Sequence, residues 1–155
     1  MNIVLIEPQI PQNTGNIARL CAVTGTPLHL VGKLGFKTDN KSLKRAGLDY
    51  WNLLDVRYYE SFKNFKDETS SSTYYFLSTK GKKNYSHISY KKDDYLIFGS
   101  ETKGLSEDIL EAFKDQTIRI PMVDGARSLN LSTSVSIVLY EALRQNSFIS
   151  YQPCL

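Results

Sequence analysis

Short apolar runs alternate with helix-forming segments along the whole chain. Buried strands are predicted at NIVLIE, LHLVG, DVRYYE, TYYFLS, DYLIFG and TIRI. Helices are predicted between them at residues 13–24, 62–68 and 107–113, together with a short helix from Asn40 to Arg45. Gly25 is placed to end the first helix, while Ser61 and Ser106 are placed to cap two of the others. Strands separated by helices are typical of an α/β fold built on a mostly parallel sheet.

The last helix shows the clearest pattern. Its apolar residues fall on one face with a 3.6-residue period: Leu131, Val135, Val138, Leu139, Ala142 and Leu143. The opposite face carries Ser132, Ser136 and Tyr140 at intervals of four residues, which indicates either a contact with a substrate or partner, or capping and solvent exposure.

Three loops follow predicted strands and are rich in small and hydrogen-bonding residues. They are LSTKG, GSETKGLS and PMVDGARSLN, and the last of them runs into the final helix, where a single capping residue would suffice. Because ligands bind outside the carboxyl ends of parallel strands, these loops predict a pocket. Ordinary turns and helix caps are the alternative explanation for each loop taken alone.

Common catalytic and nucleotide-binding motifs are missing from the sequence. The first strand is followed by EPQIPQNTGN, which lacks the G-x-G-x-x-G pattern of dinucleotide sites. Gly99 and Gly104 have the spacing of a phosphate loop, but Lys and Ser or Thr do not follow them. No Ser-His-Asp arrangement and no metal site are visible, and we expect His29 and His87 to be structural.

Composition is that of a globular protein, and we expect one domain over residues 1–155. The apolar run from Ile3 to Ile6 is too short for a signal peptide or a membrane span. Cys21 and Cys154 match no metal or redox spacing and are expected to be reduced thiols. The sequence therefore indicates a cytoplasmic protein.

Positive charge is concentrated in two stretches that hold ten of the nineteen basic residues. The stretches contain Lys33, Lys37, Lys41, Lys44 and Arg45, and then Lys80, Lys82, Lys83, Lys91 and Lys92. Tyr50, Trp51, Tyr85 and Tyr90 lie nearby in the sequence. Phosphate contact and base stacking need these groups, so a polyanion partner is predicted, with solvated loops as the alternative.

Three segments resemble the motifs of the SPOUT methyltransferases, in the TrmH-like branch that acts on ribose. They are NTGNIAR, FGSETKGL and IPM…SLNLS…YE, and the likeness extends through EPQIPQNTGNIARLC and GFKTDNKSLKRAGLDYW. The resemblance covers nearly the whole chain, with order and spacing matching throughout, and it implies a single domain without the separate RNA-binding domain that many relatives carry. It implies 2′-O-methylation of the wobble nucleotide of tRNA, a cytidine or modified uridine, with leucine tRNAs as the expected substrates.

The resemblance also implies a C-terminal deep trefoil knot whose loops bind S-adenosylmethionine, without a metal. By this likeness, backbone contacts to the cofactor come from Leu77, Gly99, Ile120 and Ser128. Neighbouring candidates are Glu101, Gly104, Met122, Leu129 and Asn130. For Leu77, Ile120 and Met122, ordinary core packing is the alternative explanation.

Catalytic roles carried over by the same resemblance fall on Arg19, Asn13 and Tyr140. Because a guanidinium keeps its proton in proteins, Arg19 is expected to hold a phosphate and stabilise the acceptor oxygen rather than act as a base. Asn13 is expected to order the preceding loop, and Tyr140 to orient Arg19 or the RNA. The anticodon region of tRNA is expected to contact Lys41, Lys44, Arg45 and Lys80, and the family implies a homodimer with a composite site.

Two other functions stay open at this stage. One is a SPOUT enzyme that methylates a base, against which NTGNIAR argues because it resembles the ribose branch. The other is a non-catalytic RNA-binding α/β module, against which the retained Arg19, Glu101 and Asn130 argue.

Overall fold

One parallel sheet organises the protein. The computed structural model describes residues 1–37 and 54–148. The strands in these ranges are β1 (Asn2–Ile6), β2 (Leu28–Val31), β3 (Val56–Tyr59), β4 (Tyr74–Leu77), β5 (Lys83–Asn84), β6 (Tyr95–Phe98) and β7 (Thr117–Arg119). Their order across the sheet is β3-β2-β1-β6-β4-β7-β5, and every pair is parallel. The α/β fold predicted from the sequence is confirmed.

The helices begin and end where local sequence signals place them. They are α1 (Pro11–Thr24), α2 (Phe62–Glu68), α3 (Glu107–Ala112) and α4 (Leu131–Gln145). The Ser61 hydroxyl accepts a hydrogen bond from the backbone N–H of Asn64 at the start of α2, and Ser106 does the same for α3. Gly25 ends α1 in the left-handed conformation, with φ of 60°. These predicted caps are confirmed.

Three details differ from the sequence-based expectation. Helix α1 begins at Pro11 rather than at residue 13, because proline has the right φ for a first helical turn and needs no N–H partner there. Strand β5 has only two polar residues and so shows no apolar pattern, and short 3₁₀ turns at Tyr85–His87 and Lys114–Gln116 were also not predicted. The helix expected from Asn40 to Arg45 lies outside the described residues.

Two apolar cores lie on opposite faces of the sheet. Ile3 and Leu5 of β1 pack on the side of α1 and α4, while Val4 between them packs against the aromatic cluster on the other side. All three are fully buried, which explains why the strand reads as a continuous apolar run. The buried face of α4 consists of Val135, Val138, Leu139 and Ala142, as its period predicts.

His29 and Cys21 belong to these cores and have no exposed reactive atom. The ring of His29 is fully buried, with Nδ1 3.1 Å from the Tyr59 hydroxyl. Burial lowers the pKa of His29 to about 4, so the ring is neutral at pH 7. Burial likewise raises the pKa of the free Cys21 thiol. Both residues are structural, as expected.

Two glycines allow backbone segments to pass unusually close to each other. A Cβ atom at Gly81 would lie 2.5 Å from the carbonyl carbon of Ile118, and one at Gly99 would lie 2.1 Å from that of Gly104. Only glycine permits such approaches without a shift of the backbone. The trefoil knot itself stays a prediction from the family resemblance. In the two described ranges, no helix combines the length and apolar character needed to cross a membrane.

Candidate functional site

A cavity of about 510 Å³ opens at the carboxyl ends of β4, β6 and β7. The three loops singled out in the sequence form most of its wall, and Ile10 and Asn13 complete it. The residues predicted to contact a cofactor all line it: Leu77, Gly99, Glu101, Gly104, Ile120, Met122, Ser128, Leu129 and Asn130. The structure therefore confirms the predicted pocket, while the role of each lining residue stays a prediction.

The cavity wall has an apolar part and a polar part. Leu77, Leu105 and Ile120 contribute apolar surface, and Leu77 and Ile120 also pack against the core. For these two residues the alternatives of core packing and cavity lining are both true. Ser78, Thr79 and Ser128 add hydroxyl groups to the wall. A ligand with an apolar ring system and polar substituents matches such a lining.

The loop from Gly99 to Gly104 is a closed turn rather than a phosphate loop. The backbone N–H of Gly104 donates to the carbonyl of Ser100 at 2.8 Å, and the N–H of Lys103 points to the Ser100 hydroxyl at 3.3 Å. Two of the amides that a phosphate loop would present to its ligand are therefore occupied. This agrees with the missing lysine noted in the sequence.

Glu101 directs its carboxylate toward the start of α1. It accepts hydrogen bonds from the backbone N–H groups of Gln9 (2.8 Å) and Ile10 (3.2 Å) and from Nδ2 of Asn13 (3.0 Å). The N-cap residue of α1, Ile10, has no side-chain acceptor of its own. A carboxylate from a distant loop therefore serves this helix terminus, where negative charge is favourable.

The contacts of Asn130 account for many of the polar residues that precede and begin α4. Its Oδ1 accepts from the N–H groups of Ser132 (2.9 Å) and Thr133 (3.3 Å), which makes it the N-cap of α4. Its Nδ2 donates to Oδ1 of Asn13 at 3.0 Å. The hydroxyls of Ser132 and Ser136 bond within the helix, to Oδ1 of Asn130 and to the carbonyl of Ser132. Ser132 thus contributes to the helix cap and Ser136 bonds to a carbonyl inside the helix, while their contact with a substrate or partner stays a prediction.

Of the three predicted catalytic residues, Asn13 lines the cavity, and Arg19 and Tyr140 do not. Asn13 is 6% exposed and lines the cavity. Arg19 is exposed on the outer face of α1, about 9 Å farther along the helix axis, and does not line the cavity. Tyr140 is 49% exposed on α4, with its ring centroid 6.4 Å from that of Phe148. Within one chain, the structure therefore separates Arg19 and Tyr140 from the cavity.

Lys80 is exposed at the rim of the cavity, with Nζ 3.2 Å from a carboxylate oxygen of Glu107. Both partners are largely solvated, so this ion pair holds Lys80 only weakly. Lys41, Lys44 and Arg45 lie outside the described residues. Lys103 and Arg127 also line the cavity and were not among the site residues predicted from the sequence. Their position in the same small-residue loops was the signal available.

Tyr90 was predicted to lie near a surface on which bases stack, and the structure places it elsewhere. It is 6% exposed, its hydroxyl donates to the carbonyl of Tyr85 at 2.7 Å, and its ring stands edge-on to Tyr75. A buried ring has no free face for a base, so this part of the expectation is wrong. Among residues 1–37 and 54–148, no group of His, Cys, Asp and Glu side chains is arranged to hold a metal ion.

Comparison with known proteins decides the family. Residues 1–140 match the model of the SpoU rRNA methylase family. The chain belongs to this family. The match confirms the resemblance seen in the three sequence motifs.

Individual family members extend this result. A tRNA (cytidine(34)-2′-O)-methyltransferase of Escherichia coli (strain K12) is 50% identical over 146 residues, covering 94% of this chain and 93% of the relative. A solved structure described as giving insight into 2-OH methylation of C/U34 on tRNA has a TM-score of 0.91 at 42% identity, covering 95% of this chain and 96% of that one. An AdoMet-bound rRNA methyltransferase from Sinorhizobium meliloti has a TM-score of 0.83 at 25% identity, covering 92% and 55%.

Proposed function

We propose that this protein transfers a methyl group from S-adenosylmethionine to the ribose 2′-hydroxyl of nucleotide 34 of tRNA. The observation that carries this function is the cavity at β4, β6 and β7, which the three family motifs line in a chain 50% identical to the Escherichia coli enzyme over nearly its whole length. The leucine isoacceptors and the cytoplasm are the expected substrate and location.

The cavity fits S-adenosylmethionine in size and in chemistry. Its volume of about 510 Å³ lies in the range of small-molecule sites, and its wall offers apolar side chains for a purine and hydroxyls for polar substituents. Leu77, Ile120 and Met122 would pack against the adenine, and Ser128 and the backbone at Gly99 would meet polar groups. When bound, S-adenosylmethionine supplies an electrophilic methyl group on a sulfonium.

The chain contributes orientation and electrostatics to the reaction. The acceptor oxygen gains negative charge as its proton leaves, and a nearby cation lowers the energy of that state. Arg19 is the proposed cation, since its guanidinium stays protonated and can also hold a neighbouring phosphate. Fixing the acceptor in line with the methyl group can contribute roughly 7–11 kcal/mol to lowering the barrier.

A second copy of the chain is proposed to complete the site. Arg19 and Val23 share the exposed face of α1, and Val23 is 52% exposed. On α4 and just beyond it, Tyr140 and Phe148 are 49% and 39% exposed. Apolar side chains on the outer faces of two packed helices favour burial against a second copy. In such a homodimer, Arg19 of one protomer would serve the cavity of its partner.

Mixing two inactive variants tests this arrangement. Arg19→Ala removes the proposed cation, and Ser128→Trp fills the cavity from an exposed loop position. If each site combines the two chains, mixing equal amounts should restore about one quarter of wild-type activity, because half of the dimers gain one intact site. Absence of restored activity despite mixed dimers by native mass spectrometry would contradict a composite site. Adding Val23→Glu to both chains should abolish the restored activity.

We propose that Lys80 at the cavity rim and Lys41, Lys44 and Arg45 bind phosphates around the anticodon. The support is the placement of Lys80 and the two basic stretches in the sequence.

Nucleoside analysis tests the proposed reaction. After incubation with tRNA and S-adenosylmethionine, digestion should release 2′-O-methylcytidine or a 2′-O-methylated uridine, identified by mass spectrometry. A base-methylated nucleoside would instead identify a base methyltransferase. Binding of tRNA without any methylated product would identify a non-catalytic module.

A further inference from the structure

Three side chains from separate parts of the chain form a continuous hydrogen-bonded row along the cavity wall. Glu101 follows β6, Asn13 lies in the first turn of α1, and Asn130 caps α4. Asn130 Nδ2 donates to Asn13 Oδ1 at 3.0 Å, and Asn13 Nδ2 donates to Glu101 Oε1 at 3.0 Å. The row therefore ties together the three segments that carry the family motifs.

The N-cap of α4 fixes which atoms of the row donate hydrogen bonds and which accept them. Oδ1 of Asn130 receives the N–H groups of Ser132 and Thr133 and the hydroxyl of Ser132, so only Nδ2 is left to face Asn13. Asn13 must then turn its oxygen to Asn130 and its amino group away. The next residue in the row has to be an acceptor, and the carboxylate of Glu101 has no donor hydrogen to conflict with it.

Glu101 connects the row to the start of α1 by hydrogen bonds. Besides Asn13, it accepts from the backbone N–H groups of Gln9 and Ile10, so three of its roughly four acceptor positions point at this helix terminus. Asn130 likewise has both ends of its amide engaged by protein groups. These contacts leave the polar atoms of both side chains little capacity for a cofactor.

We propose that Glu101, Asn13 and Asn130 are positioning residues whose directed hydrogen bonds fix α1 against the two cavity loops, and with it the Arg19 that this helix presents to the cavity of the second protomer. This inference rests on the proposed function of Arg19 in methyl transfer. It assigns the three residues a role different from the cofactor contact expected of Glu101 and Asn130 and from the catalytic role expected of Asn13. A displacement near 1 Å at a reacting centre costs about 100-fold in rate, so small shifts of α1 would be measurable.

Two single variants break the row while preserving shape. Asn130→Asp keeps an equally good N-cap but presents an oxygen to the oxygen of Asn13. Glu101→Gln leaves one oxygen for the three donors of Gln9, Ile10 and Asn13, so its amino group has to face at least one of them. Each is expected to lower kcat by about 10- to 100-fold, with the Kd of S-adenosylmethionine changed by no more than a few-fold.

The double variant should recover activity because it reverses the whole row. With Asn130→Asp and Glu101→Gln together, Asn13 can turn its amino group toward the new carboxylate and its oxygen toward the new amide. Both links of Asn13 then pair a donor with an acceptor, the N–H of Ile10 loses its acceptor on residue 101, and the net charge equals that of the wild type. We expect kcat to return to within about 10-fold of wild type, far above the product of the two single effects. Asn64→Asp, the same amide-to-carboxylate change at an exposed position of α2 on the other side of the sheet, is the matched control and should leave kcat unchanged.

Steady-state kinetics, cofactor titration by calorimetry and thermal unfolding of all five proteins complete the test. Multiplicative losses in the double variant would overturn the proposal, as would single variants that lose cofactor affinity at constant kcat. A wild type that transfers no methyl group would contradict the proposed function and, with it, the role assigned to the row. This holds even if the Tm is lowered in both single variants and restored in the double variant. Recovery of both kcat and Tm in the double variant supports the proposal.

Discussion

Arg19→Ala is expected to lower kcat for tRNA methylation by about 100- to 1,000-fold, the usual effect of removing one group that stabilises charge in a transition state. The Kd of S-adenosylmethionine should change by no more than a few-fold, because Arg19 does not line the cavity of its own chain. Single-turnover methyl transfer measures the first quantity, and calorimetry measures the second.

Two companion variants make the Arg19 result specific. Gln12→Ala alters the same exposed face of α1 and should retain wild-type kcat. Arg19→Lys keeps the charge but loses the planar fork, so it should recover only part of the activity if a phosphate is held bidentately. Loss of cofactor binding in Arg19→Ala would contradict the proposed role.

Gly99→Val is expected to weaken cofactor binding by about two orders of magnitude or more and to lower the Tm by several degrees. Gly99 lines the cavity, and a Cβ atom there would lie 2.1 Å from the carbonyl carbon of Gly104 and 2.3 Å from the nitrogen of Leu105. The turn that forms the cavity wall must shift to relieve that overlap.

Gly25→Ala is the matched control for Gly99. Gly25 has a φ of 60° and a Cβ atom there would meet no atom within 4 Å, so the change adds backbone strain of about 1 kcal/mol without overlap. It should lower the Tm slightly and leave cofactor affinity unchanged. Equal affinities of Gly99→Val and wild type in calorimetry would show that the 99–105 turn does not shape the cofactor site.

The secondary structure and the cavity were largely predictable because each rests on local signals. Ser61, Ser106 and Gly25 act on their own helix ends, and the periodic residues of α4 are those the structure buries. Loops rich in small residues after three strands indicated the pocket, since the ends of parallel strands meet at one edge of the sheet.

The features that were not predictable depend on residues distant in the chain. Residues 13, 101 and 130 come together only through the order β1-β6-β4-β7, so their hydrogen bonds have no local signal. Tyr90 is as compatible with a stacking surface as with a core until its burial is known. The place of Arg19 outside the cavity follows from the turn-by-turn rotation of α1 relative to the sheet.

The identity of the acceptor atom is tested most directly with two tRNAs that differ at nucleotide 34 alone, one carrying cytidine and the other 2′-deoxycytidine. The proposed function predicts equal binding of both tRNAs and methyl transfer to the cytidine form only, because the deoxy form lacks just the 2′-oxygen. Incorporation of methyl groups into the deoxy form at a comparable rate would contradict ribose methylation at this position.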